Sequence, residues 1–313
     1  MKIGKKALEY GVYIAVAIFI YTKLNGNIRE LEEIDDVDIG LMVLSLWIFS
    51  LHSIWNGFNW HYLIRQSGEK VEISGQMKVY LKSYILRYIP GNVVGIMSRG
   101  VYNKQYKVPM VKSLWGWFFE NIVYLMWGIL IGGYFLITSG FSIAQISALV
   151  IASLIIGSVV LLRNEWFTFL FNKVVLPKLP PEAKSEFKSL NVSFSSRIQL
   201  FGRYLVSWII YSVSFLILAM AFGVDVSKNW LLLVSANALS WSIGYLSLVT
   251  PSGTGVRESV MITALSGGAG LSNEIAVIIS IAARIVFIVG ELLGFAQAYA
   301  MMFISDFFYK KNE

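Results

Sequence analysis

The sequence predicts an all-α, polytopic helical membrane protein with seven to eight spans, two broken or re-entrant Pro-Gly segments and an internal repeat. Three observations carry the membrane reading. Of the 313 residues 14% are charged and 56% apolar, with a mean hydropathy of +0.64; a soluble domain would carry about 25% charged residues. About seven runs stay apolar over the 18 or more residues that a helix needs to cross a bilayer. The basic residues sit between these runs and not along one soluble face, so the net charge of +7 reports membrane topology, and no nucleic-acid partner is expected. With no cysteine, the chain has no disulfide framework, thiol nucleophile or thiolate metal site.

Taken in order, the basic start Met1–Lys6 is followed by no small-residue cleavage site, so residues 7–24 are expected as the first span, with a cytoplasmic N-terminus in the cell membrane. An acidic loop at 25–38 leads into a span over 39–63. Basic residues from Arg65 through Lys82, Arg87, Arg99 and Lys104 to Lys112 then mark the cytoplasmic side. Residues 113–137 and 143–162 read as a helical hairpin. The segment 163–203, with Pro177, Pro180 and Pro181, reads as cytoplasmic, its Phe167, Phe169, Leu170 and Phe171 lying on the membrane surface. Spans are expected over 204–222 and 230–249. Residues 255–265 are too short to cross and read as a half-helix, and 275–304 form the last span. Seven crossings would leave Lys310 and Lys311 outside; a cytoplasmic tail requires 251–268 to complete an eighth.

Two stretches interrupt this pattern: Arg87-Tyr88-Ile89-Pro90-Gly91-Asn92, followed by Arg99, and Pro251-Ser252-Gly253-Thr254-Gly255-Val256-Arg257-Glu258. Proline removes an amide and glycine permits positive φ, so each should stop a helix, turn and start another. Irregular backbone at membrane depth is tolerated where it is buried in protein or lines a wet cavity. Both breaks are therefore expected to wall one polar site. Basic residues flank the first on both sides, so it should dip in and return from the cytoplasm. Tyr84 precedes Pro90 at the spacing with which Tyr245 precedes Pro251, and each break leads to a long span with an acid, Glu120 or Glu291. The pattern indicates a single membrane domain, 1–313, with repeat halves 1–162 and 198–313 joined by 163–197.

Arg87, Pro90, Gly91, Asn92, Arg99, Pro251, Gly253, Gly255, Arg257 and Glu258 are the candidate substrate-binding residues, because guanidinium groups beside new helix N-termini suit an anion. The structural alternatives are an Arg99 that snorkels to the interface and an Arg257–Glu258 pair that neutralises itself. Glu120, Asn121, Arg284 and Glu291 are candidates for gating or proton coupling. A charge at mid-bilayer costs about 2.5–3.5 kcal/mol, so these should face the bundle interior. Arg284 and Glu291 share a helix face about 10.5 Å apart, and Arg284 is expected to pair with Glu258 or Glu120. His52, Asn56 and Asn59 share a face suited to interhelical hydrogen bonds, and with His61 off that face they supply too few ligands for a metal. No cofactor motif or catalytic spacing stands out, so transport is favoured over the alternative, a membrane-embedded enzyme acting on a lipid-linked phosphate or sugar.

The Arg-Tyr-Ile-Pro-Gly stretch at 87–91 and the Pro-x-Gly-x-Gly-x-x-Glu pattern at 251–258 resemble the two hallmark motifs of the lysylphosphatidylglycerol synthase transmembrane, or flippase-like domain, family, with Ser252 where that family usually has glycine. The resemblance implies a membrane domain that moves polar lipids between leaflets, here an anionic phospholipid or a polyprenyl-phosphate-linked lipid. Some members are fused to a soluble enzyme. No soluble stretch here could hold a synthetase fold, so lysyl transfer is not implied, and a soluble lipid-modifying or glycosyltransferase enzyme is the expected partner class.

Overall fold

The computed structural model describes residues 37–86, 93–138, 164–178, 192–247 and 255–310, together with Ile151, Ile155 and Gly157. These residues form helices and connecting turns. The helices are α1 (Ile39–Gln66), α2 (Ile73–Ile85), α3 (Val93–Asn103), α4 (Met110–Thr138), α5 (Asn164–Val174), α6 (Phe194–Ala221), α7 (Val226–Leu246), α8 (Val256–Gly267) and α9 (Asn273–Lys310). Four of them are long and apolar enough to cross a membrane: α1, α4, α6 and residues 273–302 of α9. At 21 residues α7 reaches about 31 Å, but Ser235, Asn237, Ser240 and Ser242 reduce its hydropathy. The expected span at 7–24 lies outside the described residues, as does that at 143–162 apart from the three isolated positions.

Local chemistry sets the helix ends. Asp38 starts α1 by accepting the Leu41 N–H at 3.0 Å, and Asp225 starts α7 by accepting from both the amide (3.0 Å) and the hydroxyl (2.6 Å) of Ser227. Those bonds hold the exposed Asp225 carboxyl below its ordinary range. Ser193 caps α6 by accepting the Ser196 N–H at 3.1 Å. That cap corrects the expectation that 163–203 is all cytoplasmic, since α6 begins at Phe194 and not at residue 204. A hydropathy window stops at Arg203, yet its guanidinium lies over the rings of Trp55 and Tyr62 at 4.9 and 5.0 Å and its Nε donates to Asn59 at 3.0 Å. The helix therefore continues through it. In α5, Phe167 and Phe171 are buried and only Phe169 and Leu170 are exposed, so two of the four expected surface aromatics and aliphatics pack into the protein instead. Trp60 and Trp115 are also buried in the core.

α1 packs along α6 in antiparallel register. The Asp38 amide donates to the Ala221 carbonyl (3.0 Å) at one end, Ser45 and Ser214 bond midway (3.1 Å), and Ser196 donates to Gln66 (2.6 Å) at the other. Small residues permit the close contacts. A Cβ on Gly132 of α4 would stand 3.0 Å from the Leu239 backbone of α7. On α9, Gly290 faces Phe49 and Gly294 faces Ser50 and Ser53, bringing that helix against α1.

The two short helices repeat one local plan. α3 lies antiparallel to α2, with Gln76 donating to Asn103 at their outer ends (2.8 Å) and Arg99 donating to Ser83 deeper in (3.1 Å). α8 likewise folds back along α7: Ser240 donates to the Arg257 carbonyl at 2.7 Å, and Gly244 lies against Arg257. Gly268, just past the end of α8, contacts Phe135 of α4, beyond the level at which Gly132 meets Leu239. α8 thus reverses the direction of α7 and does not carry it onward, contrary to the eighth crossing that a cytoplasmic tail was expected to require. The connecting residues 87–92 and 248–254 lie outside the described residues, and with them Arg87, Pro90, Gly91, Asn92, Pro251 and Gly253.

Candidate functional site

Two charged clusters stand at the short helices. In the first, Arg99 of α3 donates through Nη1 to Glu120 Oε2 at 2.7 Å and through Nη2 to Oε1 at 3.3 Å, while Nε donates to Ser83. Its guanidinium lies 4.6 Å from the Trp60 ring centroid and 4.7 Å from that of Tyr80. Arg99 is 4% exposed and Glu120 7%. A bidentate pair enclosed by two aromatic rings leaves the guanidinium little capacity for a passing anion. Beside it runs a buried polar chain, Trp60 to Gln76 (3.1 Å), Gln76 to Asn103 (2.8 Å) and Asn103 to Ser113 (2.8 Å), that ties α1, α2, α3 and α4 together.

The second cluster surrounds the start of α8. Gly255, with φ of +88°, turns the chain into that helix, a conformation that glycine adopts without strain. The Glu258 carboxylate reaches back to accept the Gly255 N–H at 2.6 Å, and its other oxygen stands 3.5 Å from Arg284 Nε on α9. Of the two partners expected for Arg284, the structure brings Glu258. Arg257 lies 4.4 Å from the Phe287 ring centroid and donates to the Tyr211 hydroxyl of α6. Tyr211 donates in turn to Asn237 Oδ1 at 3.2 Å, while Asn237 Nδ2 is buried without a partner among the described residues. Arg257, Glu258, Met261, Ser280, Ala283, Arg284 and Phe287 line a crevice too narrow in this conformation for a free water. Glu291 is buried two helical turns along α9 from Arg284.

Asn121 joins α4 to α7: its Nδ2 donates to the Trp117 carbonyl (2.6 Å) and its Oδ1 accepts from Tyr245 (2.5 Å), fastening the end of α7 to α4. The His52 face forms hydrogen bonds between helices as expected. His52 contacts the Tyr124 hydroxyl at 2.5 Å, Asn56 accepts from Ser207 at 2.7 Å, and Asn59 accepts from Arg203. Among the described residues no group of His, Asp and Glu is placed to hold a metal ion.

Sequence reasoning did not find Tyr211 or Phe287. Neither has a local signal, since a tyrosine or phenylalanine in an apolar helix is ordinarily packing. Their contribution arises from the rotation of α6 and α9 that turns both rings toward Arg257. They stack on one another at 4.8 Å, beside Phe49.

Four long apolar helices, buried and half-buried ion pairs and glycine-mediated helix packing define a helical membrane protein. The sequence profile of the family described as "Lysylphosphatidylglycerol synthase TM region" matches residues 8–294, and the chain belongs to that family. No curated protein and no solved structure matches it. The family places the protein among membrane proteins that handle lipids.

Proposed function

We propose that the protein flips an anionic phospholipid or a polyprenyl-phosphate-linked lipid between leaflets, with no covalent chemistry on it, and that the crevice at α8 receives the headgroup. The observation that carries this reading is the Arg257–Glu258–Arg284 group at a helix start inside an apolar bundle. Two guanidiniums, one of them next to the unpartnered Asn237 Nδ2 through Tyr211, offer donors to phosphate oxygens. Acyl or prenyl chains stay in the surrounding lipid while the charged head moves along the protein. Glu291 is the acid on this path, placed to gate it or take up a proton.

In this reading α2–α3 and α7–α8 are re-entrant hairpins that enter from opposite ends of the bundle, as the antiparallel α1–α6 pair requires. The halves 1–162 and 198–313 then form an inverted repeat with its site near the membrane midplane. The first hairpin enters from the basic, cytoplasmic side and the second from the other. With the spans at 7–24 and 143–162, the N-terminus and the Lys310–Lys311 tail both lie in the cytoplasm of a cell-membrane protein. A soluble lipid-modifying or glycosyltransferase enzyme is the proposed partner that supplies or consumes the lipid.

The test is reconstitution into vesicles containing fluorescent-headgroup phosphatidylglycerol, with transbilayer movement read by quenching of the outer leaflet. The chain should accelerate movement, and Arg257→Gln should lose most of that gain while remaining folded. Movement at the protein-free rate, or an R257Q variant as fast as the parent, would overturn the proposal.

A further inference from the structure

Arg197 stands apart from the other arginines of the bundle. It lies in the first turn of α6, four residues after the Ser193 cap, at the end of the molecule where Ser196 meets Gln66. It is 6% exposed, and its Nε and Nη1 are buried with no hydrogen-bond partner among the described residues. By contrast Arg99 holds Glu120, and Arg203 holds Asn59 beneath two aromatic rings. A guanidinium does not shed its proton in a protein, so the cost of its burial cannot be relieved by neutralisation. The place makes matters worse, because the first turn of a 28-residue helix carries the positive end of its dipole, where a cation is disfavoured. The nearby hydroxyls bond elsewhere and not to Arg197: Ser193 accepts from the Ser196 amide, the two hydroxyls bond each other at 2.7 Å, and Ser196 donates to Gln66. An uncompensated buried charge is among the most expensive features that a fold can carry. A counter-anion removes both the unmet donors and the repulsion by the dipole.

We infer that Arg197 and the first turn of α6 form a second anion site, one for a phosphate-type group. It is separate from the α8 crevice and stands whether or not that crevice receives a headgroup. Tyr211, which holds Arg257, lies further along the same helix by 211 − 197 = 14 residues, about 21 Å, so the two sites occupy different depths. Phe194 and Ile198 of the same turn are 49% and 47% exposed and give acyl chains an apolar surface beside the guanidinium. That juxtaposition favours a lipid phosphodiester over free phosphate as the source of the anion. The planar fork of arginine matches two phosphate oxygens at once.

The experiment uses the purified full chain in neutral detergent micelles, with its melting temperature followed during separate titrations with dihexanoyl phosphatidylglycerol, dihexanoyl phosphatidylcholine and inorganic phosphate. Phosphatidylglycerol should raise the melting temperature saturably and phosphatidylcholine should not. Inorganic phosphate that matches phosphatidylglycerol would support the site with free phosphate as its ligand. Arg197→Gln should weaken the response at least tenfold, Arg197→Lys should be intermediate, and Arg257→Gln should retain the Arg197-dependent response. Without added anion, R197Q should melt at or above the parent, because it removes an unpaired charge. An R197Q variant that melts below the parent in anion-free micelles would show that the chain itself satisfies the guanidinium, and would overturn the inference. So would a parent indifferent to both anions, or an R197Q variant that responds as the parent does.

Discussion

The two short helices use the same charges in opposite arrangements. In the first half the arginine is on the short helix and the acid on the long one: Arg99 of α3 grips Glu120 of α4 with two bonds, and both are almost wholly buried. In the second half the acid is on the short helix and the arginine on the long one, Glu258 of α8 and Arg284 of α9. They stand 3.5 Å apart with side chains 21% and 13% exposed. The first pair is closed, with each guanidinium nitrogen donating a hydrogen bond and aromatic rings on the guanidinium. The second is loose, beside a crevice and an additional arginine. A pair of the first kind fixes the position of its helices, whereas one of the second kind can exchange partners. On the function proposed above, the closed pair at α3 is structural and α8 is the working helix.

The largest expected effect that would break this comparison lies in the first half. Arg99→Gln leaves Glu120 buried without its counter-charge, and loss of one member of such a pair costs about 3–5 kcal/mol. R99Q should therefore melt far below the parent or fail to accumulate in the membrane, and the double variant R99Q/E120Q should recover much of the loss. If R99Q keeps the parental melting temperature in detergent but loses lipid movement, the closed pair is a working site after all and the contrast fails.

The next effect is functional. Arg257 combines a hydrogen bond from a charged donor, worth about 1.5–3 kcal/mol, with a ring contact to Phe287. Arg257→Gln should slow transbilayer movement of fluorescent-headgroup phosphatidylglycerol about tenfold or more, with a modest change in melting temperature. Tyr211→Phe should follow it at smaller amplitude, since that hydroxyl joins Arg257 to Asn237. If Y211F slows lipid movement more than R257Q does, the tyrosine and not the arginine carries recognition.

Much of the fold was legible in the sequence, because hydropathy and the positions of Pro and Gly report the length of a helix and where it stops. Apolar runs located α1, α4, α7 and α9 to within a few residues, and the short α8 followed from the break that precedes it. The start of α6 was not legible, because hydropathy treats Arg197 and Arg203 as the end of a span whether or not neighbouring helices accept them. The candidate site was legible in part. Motif position singled out Arg257 and Glu258, and helix spacing turned Arg284 toward another helix. The closure of Arg99 onto Glu120, and the arrival of Tyr211, Asn237 and Phe287 around Arg257, depend on how helices are rotated and apposed. No spacing along the chain encodes that rotation.

The smallest effect sharpens the comparison from the other side. Glu258 meets Arg284 at a distance well beyond the 2.7–2.9 Å of a strong charge-assisted bond, and both side chains are partly exposed. Partial exposure screens such a pair, so its net contribution is discounted to about 1 kcal/mol or less. Glu258→Gln keeps an oxygen that can accept the Gly255 amide, so the start of α8 survives and the ionic part alone is removed. E258Q should therefore melt within a few degrees of the parent, whereas Glu120→Gln, which strips the same charge from the closed pair, should melt far below it. Differential scanning of the two variants side by side measures the asymmetry directly. Equal losses would mean that the second pair is as firmly closed as the first, and that the crevice beside it does not open.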